Sequence, residues 1–279
     1  MVKIVIDSGC DLSETMLARI TAAQVISVPL VLTVDGQDYI DDDTLDVVEY
    51  LRITEQSPTG PTTAAPSPQS FLEAFAGEDS VFVVTLSSKL SASFESASLA
   101  ARMRAEQFKD SLTHIFDSLS ASVGEALVAL KISELLDQQI AEREIIGRVE
   151  NFISNMSTYF ILDNFDTAVR TGRMHKTVAT MAEFLHIKPI CAGVDGEMKV
   201  IGKARNYSRA LAQLVKMIKA QAVDFSERIL AVSHVQSASK AEETVAYIMA
   251  EIPFKDCMIT ATRGLSSTYA ARGGIILTF

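Results

Sequence analysis

The hydrophobic pattern of the first half of the chain repeats one unit, a short apolar run followed by a longer amphipathic stretch. Apolar runs occupy residues 2–7, 80–86 and 112–117, and each is rich in the β-branched and aromatic residues that favour strands. Helical periodicity follows the second run through residues 94–108 and follows the third run from Ala121 onward. Repeated strand–helix units predict a parallel, doubly wound sheet.

Two further helices are predicted from cap signals. The segment DLSETMLARITAA begins with Asp11, and Glu14 stands three residues later, which is the spacing of an acidic N-cap signature. The segment TLDVVEYLRITEQ predicts a helix that Thr44 begins. Both helices are expected to lie beside the parallel sheet.

Two Asp-Gly pairs predict tight turns between extended runs. Asp35-Gly36 divides one extended segment of the first half, and Asp195-Gly196 is the strongest hairpin signal in the chain. Antiparallel pairing is therefore expected in the second half, where the strand–helix alternation of the first half ends.

The change of pattern indicates two domains of an α/β protein. We predict an N-terminal parallel, doubly wound α/β domain over residues 1–153 and a C-terminal α+β domain with antiparallel pairing over residues 154–279. Further predicted elements of the second domain are helices at 207–223 and 237–252 and strands at 228–234, 257–262 and 273–279.

Composition and charge exclude several classes of function. The chain has 25 basic and 35 acidic residues, a net charge of −10, which argues against a nucleic-acid binder or a protein of anionic membrane surfaces. Its most apolar stretch, AAQVISVPLVLTV, is shorter than the roughly 20 residues of a membrane span, and no signal-peptide pattern begins the sequence. We expect a cytoplasmic protein without stable membrane insertion.

The cysteines and the first acidic residues give no sign of a metal site. Cys10, Cys191 and Cys257 form neither a CxxC pair nor an even set, so no disulfide framework and no zinc site are predicted. Buried packing is the simplest role for each, with a reactive thiol as the alternative for Cys10. Asp7 and Asp11 are interpreted as caps near the first loop.

Hydroxyl groups cluster where the strand at residues 80–86 turns into a helix. LSSKLSASFESA, residues 86–97, contains five serines, whereas a helix cap needs one. A nucleophilic serine needs a base, but the segment lacks G-x-S-x-G. The third interpretation is an anion seat, in which hydroxyls and helix-start N–H groups donate to a carboxylate or phosphate at the carboxyl ends of the parallel strands. The four histidines show no partner pattern and are His114, His175, His186 and His234.

A proline-rich segment precedes the same strand. Its four prolines, within residues 57–68, predict an irregular loop. Thr62 and Thr63 on this loop are either turn-stabilising hydroxyls or further donors to the anion. Neither a Walker A sequence nor GxGxxG follows any predicted strand, so a standard nucleotide site is not predicted.

Several segments, taken in order along the chain, resemble the DegV family: IVIDSGCDLS, VPLVLTVDGQDYID, PTTAAPSPQSF, LSSKLSASFESA, IFDS and RTGRM…FLHIKPICAGVDGEMKVIGKAR. This family contains the fatty-acid-binding subunits of bacterial fatty acid kinase. The resemblance implies a carrier that holds a long-chain fatty acid and presents its carboxylate to a separate kinase subunit, which uses ATP to form an acyl phosphate. It implies a bound fatty acid as ligand, no cofactor and no catalytic residue in the carrier itself.

The resemblance assigns the carboxylate donors residue by residue. The threonine of the family's P-x-T-S-x-P loop matches Thr63, and the serine of its L-S-G-T motif matches Ser91. Two alternatives stay open, a serine-dependent acyl hydrolase and a carrier of another apolar anion. Secondary candidates for the head-group site are Thr62, Ser93 and Thr262.

The chain departs from the family pattern at three places. Ala64 stands where the family has serine, and Ala92 stands where it has glycine, so a Cβ occupies a place of close backbone approach. Near the C-terminus, TRGLS replaces the family's H-x-G-P-G. The histidine is therefore absent, and Thr262 is the candidate to donate in its place.

Four basic residues in this acidic chain match the family's GGR and K-x-R segments. One interpretation is ordinary surface charge or pairing with carboxylates. The other is docking to the kinase subunit or contact with its phosphate groups, since arginine binds phosphate through two parallel hydrogen bonds. These residues are Arg170, Arg173, Lys203 and Arg205.

Overall fold

The computed structural model describes residues 2–77, 79–108, 111–174 and 187–279. In chain order, the elements within these ranges are β1 (Val2–Asp7), α1 (Glu14–Leu17), β2 (Ala23–Val28), β3 (Val31–Val34), β4 (Gln37–Ile40), α2 (Val47–Gln56), β5 (Thr62–Ala64), α3 (Pro68–Ala74), β6 (Ser80–Thr85), α4 (Ser93–Gln107), β7 (Thr113–Asp117), α5 (Val123–Asp137), α6 (Glu142–Ser154), β8 (Thr158–Ile161), α7 (Asp166–Arg170), β9 (Lys188–Val194), β10 (Glu197–Ala204), α8 (Tyr207–Lys219), β11 (Ile229–His234), α9 (Ala238–Glu251), β12 (Asp256–Ala261), α10 (Gly264–Ala270) and β13 (Ile275–Thr278).

A four-stranded parallel sheet forms the N-terminal half, as the repeated strand–helix units predict. Its strand order is β2-β1-β6-β7. The central strands β1 and β6 are almost fully buried toward their carboxyl ends, because helices cover both faces of a parallel sheet. All four carboxyl ends lie at one edge.

A six-stranded mixed sheet forms the C-terminal half, in the order β10-β9-β8-β13-β11-β12. The hairpin β9–β10 turns at Asp195 and Gly196, both with positive φ, and confirms the predicted turn there. β11 and β12 are parallel, whereas β13 runs antiparallel to both of its neighbours. The predicted fold class, a parallel α/β part followed by an α+β part with antiparallel pairing, is confirmed.

The proline-rich loop is more ordered than its composition predicts. Thr62–Ala64 forms the strand β5, which pairs antiparallel with β3 in a small sheet of order β4-β3-β5. Two of the prolines, Pro61 and Pro66, flank the strand instead of interrupting it, so the missing proline N–H groups do not break the pairing. The expectation of a wholly irregular segment is therefore wrong.

Two predicted helix starts are also wrong. Ser13, not Asp11, caps α1, since its side chain accepts the N–H of Met16. Asp46, not Thr44, caps α2, because its carboxylate accepts the N–H groups of the first turn. The Asp11 carboxylate is buried elsewhere and accepts the N–H of Arg263 at 2.6 Å.

Helices α5 and α6 lie between the two sheets. Their apolar residues share one core with Ile4 and Phe82 of the first sheet and with Ala231 and Met258 of the second. The first sheet ends at β7 and the second begins at β8, and the domain boundary after residue 153 stays a prediction. Among the helices that the structure describes, none combines the length and apolar character of a membrane span.

Candidate functional site

The carboxyl ends of the parallel strands converge on the hydroxyl segment that the sequence singles out. Asp7, Thr85 and Asp117 are the last residues of β1, β6 and β7. The backbone N–H of Leu86 donates to the Asp7 carboxylate at 3.0 Å, and the N–H of Ser88 donates to Asp117 at 3.0 Å. Both carboxylates therefore hold the turn that leaves β6.

Ser87 fixes this turn to the second sheet. Its hydroxyl is fully buried and donates to the carbonyl oxygen of Gly196, at the tip of the β9–β10 hairpin, at 2.7 Å. The Ser87 hydroxyl oxygen also accepts the N–H of Lys89 at 3.2 Å. Ser87 is thus a structural link between the halves of the chain, a role that no motif indicated.

Ser91 and Ser93 form a short hydroxyl chain at the start of α4. The Ser91 hydroxyl donates to Ser93 Oγ at 3.2 Å and accepts the Ser93 N–H at 3.2 Å. Ser93 is fully buried, and its hydroxyl is hydrogen-bonded to Asp7. Ser91 is partly exposed, so it presents the hydroxyl of this pair that a ligand can reach.

Thr63 lies on the small sheet and reaches toward α10. Its hydroxyl and the Tyr269 phenol oxygen are 2.9 Å apart. Thr63 is half-buried, whereas Thr62 is exposed, as alternation along a strand requires. Tyr269 belongs to no sequence motif and was missed, because only the packing of α10 brings it to Thr63.

An apolar cavity of about 50 Å³ lies beside these hydroxyls, between the turn after β6 and the second sheet. Leu90, next to Ser91, lines it, as does Tyr269, the partner of Thr63. Neither predicted donor, Ser91 or Thr63, lines the cavity itself. The remaining lining residues are Leu86, Ala121, Phe160, Leu162, Ala168, Arg173, Met198, Leu265, Ser266, Ala270 and Ile276.

Two of the four predicted docking residues contact the loops that carry Thr63 and Ser91. Arg173 lines the cavity, and its Nε donates to the carbonyl oxygen of Leu90 at 3.1 Å. Arg170 donates to the carbonyl oxygen of Pro61 at 3.4 Å, just before Thr62. Lys203 and Arg205 are exposed near the end of β10.

Thr262 is buried and engaged away from the cavity lining. Its hydroxyl donates to the carbonyl oxygen of His234 at 3.3 Å and lies 2.8 Å from Ser267 Oγ. The residues after it, Leu265 and Ser266, line the cavity instead. The position that replaces the family's histidine therefore supports the loop that precedes α10.

Buried carboxylates hold α10 in place. Asp41 accepts the N–H groups of Gly264 and Leu265 at 2.8 and 3.0 Å and the hydroxyl of Ser8 at 2.9 Å. Asp11 accepts the N–H of Arg263. Burial raises the pKa of both carboxyls, that of Asp11 to about 6. These contacts fix the helix that presents Tyr269.

The described histidines and cysteines do not supply a nucleophile and base. His114 lies 3.4 Å from Glu150, and His234 Nδ1 accepts the N–H of Ser237 at 3.2 Å. His175 and His186 lie outside the described residues. Burial raises the pKa of the Cys10 thiol well above its usual value, which suppresses the reactive thiolate.

A larger groove of about 1090 Å³ lies elsewhere, beside the C-terminal half of α5. Charged side chains such as Lys131, Glu134 and Arg148 line it together with apolar ones. Each of these three charges is paired, Lys131 with Glu134 and Arg148 with Glu144. The small apolar cavity, and not this groove, has the lining that an acyl chain requires.

Comparison with known proteins gives one consistent result. A family model described as DegV, an uncharacterised protein family, matches residues 1–277. A DegV domain-containing protein of Streptococcus gordonii is 31% identical over 278 residues, covering 99% of this chain and 97% of that protein.

Solved structures agree with this result. A DegV family protein from Ruminococcus gnavus, described with vaccenic acid, has a TM-score of 0.94 at 31% identity and covers 100% of this chain and 99% of its own. The Streptococcus pneumoniae Fatty Acid Kinase (Fak) B3 protein, loaded with linoleic acid, has a TM-score of 0.90 at 27% identity, with the same coverage of both chains. These neighbours carry fatty acids as ligands.

Proposed function

Because the chain belongs to the DegV family, we propose that it binds a long-chain fatty acid and presents the carboxylate to a separate kinase subunit. The kinase would use ATP to form the acyl phosphate, and this chain would act as a carrier without catalysis of its own. The observation that carries the proposal is the apolar cavity with Thr63–Tyr269 and Leu90–Ser91 beside it.

The head-group donors suit a carboxylate. A carboxylate removed from water is costly unless hydrogen bonds replace its hydration. Ser91 and Thr63 offer hydroxyls next to the lining residues Leu90 and Tyr269. Their bonds, at 3.2 and 2.9 Å, are to other hydroxyls, which can also turn. If these hydroxyls donate to the ligand carboxylate instead of to Ser93 and Tyr269, the new bonds are stronger, since hydrogen bonds to charged groups are stronger than those between neutral groups.

Tail burial would provide most of the affinity. A tail of about 16 carbons at about 0.8 kcal/mol per buried CH₂ contributes on the order of 12 kcal/mol before the costs of ordering. The cavity of about 50 Å³ is smaller than pockets that hold ligands of this size, roughly 300–1,000 Å³. Binding therefore requires the lining residues to move apart, and the flexible side chain of Met198, which is one of them, can adopt another rotamer.

The basic residues suit two different tasks in this proposal. Arg170 and Arg173 hold the carbonyl oxygens of the loops that carry Thr63 and Ser91. Lys203 and Arg205 are exposed, and we assign them to docking with the kinase subunit. Charge reversal at Arg205 should reduce acyl-phosphate formation and leave fatty acid affinity unchanged, whereas reversal at Arg173 should reduce both.

The decisive experiment is mass spectrometry of lipid extracted from the purified protein, followed by titration of the delipidated protein with long-chain fatty acids. We expect a co-purifying long-chain acid and saturable one-to-one binding. Recovery of no acid together with no binding would refute the proposal. A different co-purifying apolar anion would instead identify another ligand class, and turnover of a model ester that Ser91→Ala abolishes would identify a hydrolase.

A further inference from the structure

Three polar side chains stand among the described residues that line the apolar cavity, and these are Arg173, Ser266 and Tyr269. Arg173 and Ser266 donate to backbone carbonyl oxygens. The phenol oxygen of Tyr269 instead lies 2.9 Å from the hydroxyl oxygen of Thr63. Tyr269 is therefore the polar lining residue that adjoins a predicted carboxylate donor.

Helix α10 presents Tyr269 from an anchored backbone. The Asp41 carboxylate accepts two N–H groups of its first turn. The hydroxyl oxygen of Thr268 lies 2.7 Å from the phenol oxygen of Tyr50, on α2. Successive side chains of a helix point about 100° apart, so Thr268 holds the helix to α2 while Tyr269 faces the cavity. A binding group on an anchored helix is held more precisely than one on a loop.

The hydroxyls of Thr63 and Tyr269 keep one hydrogen available for a ligand. Each hydroxyl has one hydrogen, and a bond between two hydroxyls uses only one of the two. Among the described residues, neither hydroxyl has a second hydrogen-bond partner. The pair can therefore donate one hydrogen bond while the two hydroxyls stay bonded, and two when that bond breaks.

The spacing of these two hydroxyls suits a carboxylate. An ionised carboxylate only accepts hydrogen bonds, and its two oxygens offer about four lone-pair sites. Two hydroxyl oxygens that are 2.9 Å apart can both donate to one such group. An alcohol gains less from the same donors, since hydrogen bonds between neutral groups are roughly half as strong as those to a charged group.

We propose that Tyr269 is a ligand-binding residue, whose phenol hydroxyl donates to the fatty acid carboxylate beside the hydroxyl of Thr63. This inference rests on the proposed function, because it adds a residue to the same head-group site. Thr63 lies on β5 and Tyr269 on α10, so the ligand carboxylate bridges the N-terminal half of the chain and its C-terminal part. The preference for an acid over an alcohol of equal length then depends on Tyr269 as well.

Tyr269→Phe is the direct test, because it removes the phenol oxygen and keeps the ring in the cavity lining. Tyr247→Phe is the matched control, since Tyr247 is exposed on α9 and does not line the cavity. Isothermal titration of the delipidated proteins measures the affinities for hexadecanoic acid and hexadecanol. Tyr269→Phe should lower the affinity for the acid by about 10- to 150-fold and that for the alcohol by no more than about tenfold. Tyr247→Phe should match the wild type.

A second substitution separates direct contact from a supporting role. If the phenol only orients the Thr63 hydroxyl, Tyr269→Phe has no effect once Thr63→Val has removed that hydroxyl. A phenol that itself binds the carboxylate still contributes, so we expect Tyr269→Phe to lower the affinity for the acid by at least about fivefold more in the Thr63→Val background. No further loss in that background would overturn the inference.

Two other results would also overturn it. An equal loss of affinity for acid and alcohol would show that the phenol shapes the tail cavity. An unchanged or higher affinity of Tyr269→Phe for the acid would show that the phenol competes with the ligand for Thr63. Failure of the wild type to bind any acid refutes the proposed function itself, whereas wild-type binding together with one of these results refutes only the role of Tyr269.

Ultraviolet difference spectroscopy of the wild type keeps the test independent of whether the variants fold. The chain has six tyrosines and no tryptophan, so its near-ultraviolet absorption reports mainly on tyrosine, and Tyr269 is the tyrosine that lines the cavity. A phenol that donates to a charged acceptor absorbs at longer wavelength than one that donates to a neutral hydroxyl. The complex with the acid should therefore absorb at longer wavelength than the complex with the alcohol, and identical spectra of the two complexes would contradict the inference.

Discussion

Removal of the head-group hydroxyls should separate recognition of the carboxylate from burial of the tail. Ser91→Ala and Thr63→Val each delete one hydroxyl with little change of shape. Among the described residues, these hydroxyls bond to Ser93 and Tyr269, at 3.2 and 2.9 Å. Both partners have other hydrogen-bonding capacity, so the variants should fold.

The expected loss follows from the charge of the ligand. A hydrogen bond to a charged group is worth about 1.5–3 kcal/mol, and one to a neutral group about 0.5–1.5 kcal/mol. Each substitution should therefore lower the affinity for a long-chain acid by about 10- to 150-fold, and the affinity for the matching alcohol by no more than about tenfold. The tail contribution, on the order of 12 kcal/mol, should be unchanged in both ligands.

The assay is isothermal titration of delipidated protein with an acid and an alcohol of equal chain length. Ser96→Ala serves as the control, because Ser96 belongs to the same segment and its backbone N–H, which the substitution keeps, donates to the carbonyl oxygen of Ala92. An equal loss of affinity for acid and alcohol would refute the assignment of these hydroxyls. It would show that the substitutions disturb the tail cavity instead.

Three further predictions concern other parts of the structure. Gly264→Ala should lower the free energy of unfolding by about 1–3 kcal/mol in urea titrations, because its Cβ would lie 2.6 Å from Asp41 Oδ1. Gly147→Ala should raise the free energy of unfolding by about 0.5–1 kcal/mol, because its Cβ would meet no atom within 4 Å. Similar effects at both sites would contradict this reasoning. Burial raises the pKa of Asp11 to about 6, so the protonated carboxyl stabilises the fold below the unfolded pKa and this contribution is lost as pH rises through 6. The free energy of unfolding of the wild type, measured against pH, should therefore fall by on the order of 3 kcal/mol, and that of Asp11→Asn should change less. Ala168→Leu should fill the cavity of about 50 Å³ and weaken the binding of long-chain acids by at least about tenfold, at a loss of stability of about 1–3 kcal/mol or less, because Ala168 is fully buried. Normal affinity would place the tail elsewhere.

Local patterns in the sequence predict much of this fold. The alternation of β-rich runs with helical periodicity predicts β1, β6 and β7, and Asp195-Gly196 predicts the β9–β10 hairpin because the turn requires positive φ at both residues. These signals lie within a few neighbouring residues. These elements therefore form where the local pattern predicts them, independently of contacts that are distant in sequence.

Other features depend on contacts that are distant in sequence. Asp11 has the spacing of a cap, but Arg263 and Ser122 bind its carboxylate, and Ser13 caps the helix instead. Tyr269 meets Thr63 across 206 positions of sequence.

The candidate site was predicted in part. The carboxyl ends of the parallel strands and the hydroxyl segment are where topology requires them. The roles of individual serines were not predictable, since Ser87 and Ser93 differ from Ser91 only in burial and partners. The assignment of Thr63 and Ser91 to the carboxylate stays a prediction for the titrations above.

Several polar contacts join the loops that carry Ser91 and Thr63 to the C-terminal half of the chain, at the β9–β10 hairpin, α7 and α10. Three of them are Ser87 to Gly196, Arg173 to Leu90 and Arg170 to Pro61. At about 1 kcal/mol each, these three bonds contribute together about 3 kcal/mol, in addition to the core that the two sheets share through α5 and α6. Opening the loops away from the hairpin therefore requires these bonds to break together, whereas a movement of one loop alone costs a single bond.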